Sequence, residues 1–385
     1  MSGAYARFDD LRAGVAWEFP RAAGVLAAAG AGDVAGLLDQ VEAAVADGWW
    51  AYGYLAYEAA AGLDPTLTAH APLPGLPLAW FGVCAPPVLA RPVNASDPAA
   101  YRVGEWRAGW DESEHRARVE EVRRNIAAGE TYQCNLATLL TAELAGDDRA
   151  FYADLALGQR GSYNAYLDLG RFAVVSASPE LFFETSGRAV RMRPMKGTAR
   201  RGDTPARDAA IVAALRASEK ERAENIMIVD LVRNDLARVA ATGSVRVTSL
   251  CRAERYETVH QLTSGVHADV RPEVGLVDVF RALFPCGSVT GAPKPRTMQL
   301  IRDLEDGPRG VYCGAVGMLA PRGAAPFEAR FSVPIRTALV DRGTGLASYG
   351  VGGGITWSSD PAAEYAELRA KAEILTRPAA PAVPR

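Results

Sequence analysis

Four glutamates come in two pairs. Glu221 and Glu224 stand three apart in Ser218-Glu219-Lys220-Glu221-Arg222-Ala223-Glu224-Asn225, and Glu364 and Glu367 stand three apart near the end of the chain. A spacing of three puts both members of a pair on one face of a helix. Two such faces turned towards each other would each offer one or two carboxylates to a hard cation. Mg2+ suits that donor set, because it uses few carboxylates and keeps waters for a substrate. Read one at a time, such pairs are more often solvated helix surface. Arg193-Pro194-Met195-Lys196-Gly197-Thr198 brackets a lysine with proline and glycine. A lysine held in apolar or cationic surroundings gives up its proton and becomes a nucleophile; in isolation the segment also reads as a surface turn. Ser178-Pro179-Glu180 precedes the apolar Leu181-Phe182-Phe183. A glutamate buried there would have a raised pKa and act as a general acid near neutrality, although a carboxylate beside a proline is equally often a turn residue.

Two glycine-rich segments, Phe284 to Lys294 and Tyr349-Gly350-Val351-Gly352-Gly353-Gly354-Ile355, read as turns. Backbone N–H groups in such turns bind carboxylates as well as phosphates. Neither segment has the spacing of a phosphate loop or of a dinucleotide-binding turn. Arg336 and Lys371 are candidate partners for substrate carboxylates, the arginine in bidentate geometry; each alone is as readily a structural cation. His260 titrates near neutrality, but a lone histidine is more often structural.

The chain that must position these groups has 385 residues, 49% of them hydrophobic and 23% charged, with a net charge of −3. That composition supports a sizeable core and excludes wholesale disorder. The slightly acidic balance gives no footprint for nucleic acid. No apolar run is long enough to span a membrane, and the N-terminus has no basic head followed by an apolar stretch, which argues against a secretory signal. The five cysteines are widely spaced, odd in number and lack a Cys-x-x-Cys pair, so buried thiols in a reducing cytoplasm are expected rather than disulfides or zinc.

The patterning predicts helix within Ala22 to Ala46, around Leu37, Leu38, Val41 and Val45, and a strand over Trp49 to Tyr57. Two proline-rich stretches follow, one with Pro72, Pro74 and Pro77, the other with Pro86, Pro87, Pro92 and Pro98. A helix capped by Ser113 carries Val119, Val122 and Ile126 on one face and stops at Gly129. Strand-like runs are expected at 173–175, 181–183, 245–247, 314–319 and 331–339, and a long helical region from Pro205 to Val239. Asp360 and Pro361 start a closing helix that runs to about Leu375. Strands and helices do not alternate strictly, which favours an α+β fold over a doubly wound sheet. Residues 1–100 form an opening region integrated with the core, 101–377 the catalytic domain, and 378–385 a disordered Pro/Ala-rich tail.

Taken together, these segments resemble the chorismate-utilising enzyme family. The resemblance rests on Gly129 to Leu136, Ser178 to Phe182, Met195-Lys196-Gly197-Thr198, Arg222 to Asp235, Gly287 to Lys294, Gly310 to Gly317, and Gly352 to Ile355 with the Asp360-Pro361 helix, all in the family's order. It is dense over about residues 113–376. Within the family, Lys196 and Gln133 look like the aminodeoxychorismate-forming branch. Members that form anthranilate, isochorismate or salicylate typically carry Ala at the Lys196 position, and members that add water tend to carry Lys at the Gln133 position. Met195 for Ile and Cys134 for Val are mild departures.

The resemblance implies two large β-sheets packed face to face with helices outside and the active site in the cleft. Lys196 would attack chorismate at C2 while Glu180 protonates the departing C4 hydroxyl, and ammonia would then add at C4. Glu224 and Glu367 would hold Mg2+, supported by Glu221 and Glu364. Gln133, Thr198, His260, Ser288, Tyr312, Arg336, Gly352, Gly353 and Lys371 would line the substrate site. The nucleophile elbow of a class-I glutamine amidotransferase is missing from this sequence, so a separate glutaminase subunit would supply the ammonia. Two other readings stay open at this point, an anthranilate-forming subunit and a catalytically silent chorismate-binding subunit. Lys196 argues against the first; Glu180 and both acidic pairs argue against the second.

Overall fold

A computed structural model describes residues 4–256 and 259–375 of the chain. Its strands form two antiparallel sheets, and its strands and helices are numbered along the chain. In the first sheet the neighbours run β17 (Gly291–Ala292), β9 (Gln133–Gly146), β21 (Leu346–Ile355), β20 (Thr337–Asp341), β11 (Phe172–Ser178), β10 (Tyr163–Asp168), β1 (Tyr5–Asp10), β2 (Val15–Phe19) and β6 (Val88–Ala90). Short β7 (Tyr101–Val103) and β8 (Arg107–Ala108) also pair with β9. The second sheet runs β14 (Met195–Arg200), β16 (Val259–Asp269), β13 (Ala189–Arg193), β12 (Leu181–Ser186), β19 (Ala329–Ser332), β18 (Ala315–Leu319), β4 (Trp50–Leu55), β5 (Ala79–Cys84) and β3 (Gly24–Ala28), with β15 (Arg246–Arg255) paired to β16. The helices are α1 (Val34–Ala46), α2 (Ala60–Leu63), α3 (Glu112–Ala127), α4 (Asp148–Gln159), α5 (Pro205–Ala217), α6 (Glu219–Ala237), α7 (Leu276–Leu283), α8 (Lys294–Leu304) and α9 (Pro361–Ala372).

The two sheets pack face to face. Phe8, Phe19, Leu167 and Val174 of the first share one buried cluster with Tyr52, Tyr54, Trp80, Val316 and Met318 of the second. The Phe19 and Tyr52 rings meet across the interface with centroids 5.1 Å apart. Helices cover the outer faces. Leu37, Leu38 and Val41 of α1, Ile228 and Val232 of α6, and Phe280 of α7 pack with Phe81, Phe183 and Phe331 of the second sheet. Phe151, Tyr152 and Leu155 of α4 and Leu368 of α9 pack with Val175, Val340 and Tyr349 of the first. Val119 and Val122 of α3 join Leu300 and Ile301 of α8 over Cys134, Leu136 and Ile355. This is the expected α+β architecture of two facing sheets with helices outside. The first hundred residues supply strands to both sheets. Among the described residues all five cysteines are free and four are buried, and no helix is long and apolar enough to cross a membrane. The tail 378–385 and the last two positions of the 101–377 span lie outside the described residues.

Several local expectations are corrected. The stretch Ala22 to Ala46 is helical only from Val34; Gly24–Ala28 is an edge strand. Asp111, not Ser113, caps α3, in a reciprocal capping box with Glu114. The helical region from Pro205 breaks at Ser218, whose hydroxyl accepts from the Glu221 N–H and starts α6 afresh. The run 331–339 is two strands: β19 ends in the second sheet, and after a crossing in which Arg336 takes φ +53°, β20 begins in the first. The glycine-rich Tyr349 to Ile355 is no turn but the end of β21, paired residue for residue with β9.

A buried arginine joins the parts. Arg309 forms a fork to Glu305 through Nε–H to Oε2 at 2.9 Å and Nη2–H to Oε1 at 2.6 Å. It also donates to the carbonyls of Val289 and Asn135 and lies over the Tyr57 ring, 4.5 Å from its centroid. Glu305 accepts in turn from the Ala137 N–H. Glu58 accepts from the N–H groups of Arg309 and Gly310, and burial pushes its carboxyl up to about 7. The unit therefore ties β9, the segment after α8 and the turn after β4 together. Removing one member leaves a buried, unpaired charge, which costs about 3–5 kcal/mol. Arg309→Ala is expected to lower unfolding stability by about that amount in equilibrium urea denaturation; a loss below about 1 kcal/mol would rule out this unit as a main tie.

Candidate active site

Strands of the two sheets, α6 and α9 line a cleft. Lys196 enters it from β14. The pairing of β14 with β16 slips between Met195 and Thr198, and such a bulge re-aims the intervening side chain. Gly197 follows with φ +97°, a backbone state that an L side chain resists. Asn225 of α6 donates to the Lys196 carbonyl at 3.0 Å and fixes the bulge. The Lys196 Nζ then lies 3.4 Å from Glu224 Oε2 and 3.5 Å from the Gly354 carbonyl.

The glycines of β21 make the floor. A Cβ on Gly354 would lie 2.6 Å from Lys196 Nζ and 3.0 Å from Gln133 Nε2. A Cβ on Gly350 would lie 2.2 Å from the Tyr312 ring. The segment expected as an anion-binding turn is thus a strand stripped of side chains so that Lys196, Gln133 and Tyr312 can come close. The other glycine-rich segment is not a cradle either. It forms a short 3-10 turn over Gly287–Val289, the two-residue β17 and the start of α8, and Lys294 is spent on the buried Asp235, 3.0 Å away.

Glu180 is buried, and burial pushes its carboxyl up to about 7. The Ser288 hydroxyl donates to its Oε1 at 2.8 Å and pulls the other way. The two acidic helices face the cleft as anticipated: Glu221 and Glu224 from α6, Glu364 and Glu367 from α9, with Thr198, Ser288, Tyr312, Arg336, Gly352, Gly353 and Lys371 around them. Glu221 is raised first by burial and then by the charge of Glu224; Glu364 is raised by burial and by Glu367, against the Ser359 hydroxyl that donates to it. Glu367 is held down by Lys371, 2.9 Å away. Lys371 also donates to the Gly352 carbonyl at 2.7 Å. Among the described residues no three acidic, histidine or cysteine side chains converge on one point. The donor set is therefore one or two carboxylates from each helix in mutual repulsion, which suits a cation that keeps waters and substrate oxygens. Burial lowers Arg336, whose Nη1–H donates to the Gln159 side-chain amide oxygen rather than to a carboxylate, so its fork is open to an anion.

Two expectations change. His260 does not line the cleft. Its Nε2 is 2.7 Å from Asp208 Oδ1, and Asp208 is held well below the usual carboxylate range by Arg201. It braces β14 and α5 instead, because its place in the period-two alternation of β16 gives the cleft to Gln261. Gln133 reaches the bare face of Gly354 on the same side as Lys196, fully buried and not itself among the lining residues, with no partner for either amide atom. Asn135 and Tyr349 line the cleft and were not foreseen; Asn135 Nδ2 and the Tyr349 hydroxyl are also buried without partners. The glycine motif holds part of the missing signal: Asn135 stands opposite Gly354 in the β9–β21 ladder, on the face that borders the cleft, whereas its neighbours Cys134 and Leu136 point to the core under α3 and α8.

The model of the chorismate binding enzyme family matches residues 88–377. The chain is 46% identical over 261 residues to an aminodeoxychorismate synthase of Streptomyces griseus, which covers 67% of this chain and 35% of that protein. It is 40% identical over 262 residues to aminodeoxychorismate synthase component 1 of Klebsiella aerogenes, covering 68% of this chain and 57% of that one. It thus spans a third to just over half of these relatives. The crystal structure of anthranilate synthase component I from Streptococcus pneumoniae TIGR4 superposes with a TM-score of 0.76 at 26% identity, over 88% of this chain and 85% of that one. With two facing sheets, a bulge-held lysine and paired acidic helices around one cleft, the chain belongs to the chorismate binding enzyme family.

Proposed function

We propose that this chain aminates chorismate at C4 to give 4-amino-4-deoxychorismate, using ammonia from a separate glutaminase subunit. The observation that carries the reading is the placement of Lys196 Nζ against Gln133, with the buried Glu180 in the same cleft. The names of the Streptomyces and Klebsiella relatives support it, and the word component in the latter supports a partner subunit. The structure from Streptococcus, named as an anthranilate synthase, favours the second reading, against which Lys196 stands.

Arg336 and Lys371 hold substrate carboxylate, and Tyr312 packs under the ring. Lys196 forms a bond from the Nζ lone pair to C2. The diene electrons shift, the C4–O bond breaks, and Glu180 gives its proton to the departing oxygen, which leaves as water. Ammonia then bonds to C4, the electrons return, the C2–N bond breaks with its pair going to Nζ, which restores the lysine amine, and the new C4 ammonium returns a proton to Glu180. Glu224 and Glu367, backed by Glu221 and Glu364, would hold Mg2+, which neutralises and orients the ring carboxylate when bound. Positioning of the amine supplies much of the rate.

Incubation with chorismate, Mg2+ and ammonium, with products resolved by mass, tests the reading: aminodeoxychorismate supports it, and anthranilate as sole product defeats it. Lys196→Ala should abolish any covalent adduct in intact-protein mass spectra and weaken or redirect amination; the same adduct on the variant would remove Lys196 from its role. Glu180 works protonated, so kcat/KM should fall as pH rises through about 7. In Ser288→Ala the group that holds Glu180 down is gone, and the descending limb should move to higher pH; an unmoved limb would assign it to another group. Glu224→Gln and Glu367→Gln should each raise the Mg2+ needed for half-maximal activity by about tenfold or more, and unchanged titration curves would count against both as ligands.

A further inference from the structure

Asn135 is a group for which the chain has built a place but no partner. The residue is buried, with 6% of its surface exposed, it lines the cleft, and its Nδ2 is buried with no hydrogen-bond acceptor. A buried amide donor left unpaired costs about 1–3 kcal/mol, so its persistence at a cleft points to an acceptor on the ligand. The residue is held on three sides. Its N–H donates to the Thr290 carbonyl at 2.7 Å, its carbonyl accepts from Arg309 at 2.7 Å, and it stands directly opposite Gly354 in the β9–β21 ladder. Residues opposite each other in an antiparallel pair present their side chains on one face. That face is the one on which the absent Cβ of Gly354 would meet Lys196 Nζ and Gln133 Nε2. Thr290 is two residues from Ser288, which donates to Glu180. Asn135 is therefore fixed in the cleft that holds both the nucleophile and the acid.

We infer that Asn135 is a further catalytic residue, and that its Nδ2–H donates to the C4 oxygen of the substrate. This rests on the reading of the reaction given above. As the C4–O bond breaks, its electron pair goes to the oxygen, which takes the Glu180 proton and leaves as water; the Asn135 donor aims that oxygen at Glu180 and stabilises the charge it gathers. A neutral amide suits the place, because a cation there would compete with Lys196 and hold Glu180 ionised.

The test uses the full chain with chorismate, Mg2+ and ammonium. Asn135→Ala should lower kcat by about 10²–10³-fold, the usual cost of one such donor, with KM raised by no more than about fivefold, the ground-state worth of the same bond, and a melting temperature no lower than that of the parent chain. Asn135→Ser, which keeps a hydroxyl donor, should recover part of kcat. A competitive analogue of chorismate lacking the C4 oxygen separates contact from structure. Loss of that oxygen should weaken binding to the parent chain about fivefold, the worth of one hydrogen bond, and leave binding to Asn135→Ala unchanged. Wild-type-like kcat in Asn135→Ala, or the same fivefold discrimination in the variant, would overturn the assignment. Failure of the parent chain itself to make the aminated product would overturn the reaction reading instead.

Discussion

The buried fork between Arg309 and Glu305 sets the geometry that the cleft inherits. A guanidinium in the interior must satisfy its donors or the fold does not tolerate it. Here those donors go to one carboxylate and two main-chain carbonyls, Val289 and Asn135. Each of those carbonyls adjoins a group in the cleft: Val289 follows Ser288, and Asn135 itself lines it. The acid's hydrogen-bond partner and the floor strand are thus referenced to the same charged pair, which sits at the join of both sheets. Glu58, accepting from the main chain at Arg309, locks the segment that carries the arginine.

Close approach is the second theme. The lysine reaches the floor because β14 slips its register at Gly197, and the floor admits it because β21 is bare at Gly354. The two devices are complementary. A side chain at Gly354 would displace the amine, and a regular strand at 195–198 would turn the lysine to another face. Main-chain geometry therefore delivers the amine: Asn225 holds the Lys196 main-chain carbonyl, and the Gly354 carbonyl accepts from the amine.

The electrostatics of the cleft are divided by depth. Glu180 is enclosed, so burial raises it into the range where it can carry a proton near neutrality. The four glutamates of α6 and α9 line the same cleft, where Lys371 and Lys196 offset them in part, while burial first and then their mutual repulsion raise Glu221 and Glu364. An acid that must hold its proton and carboxylates that must stay ionised are kept apart by solvent access and by the partners each is given.

The sequence by itself determined the kind of chemistry: the lysine between proline and glycine, the two glutamate pairs at helical spacing, the buried-type glutamate before an apolar run, and the cap of α9, because each depends on neighbours a few residues away. The crossing at Arg336, the strand character of the glycine-rich end of β21, and the assignment of Asp111 rather than Ser113 as a cap show where local pattern runs short. Glycine has no β-propensity of its own, so whether Tyr349 to Ile355 turns or extends is decided by β9 alongside it. The exchange of His260 for Gln261 follows from a register that a single strand does not carry. Gln133 was already legible in its motif, but Asn135 and Tyr349 became recognisable as site groups only once folding had buried their polar atoms and left them without partners, since burial and satisfaction are properties of the whole packed chain and of no segment within it.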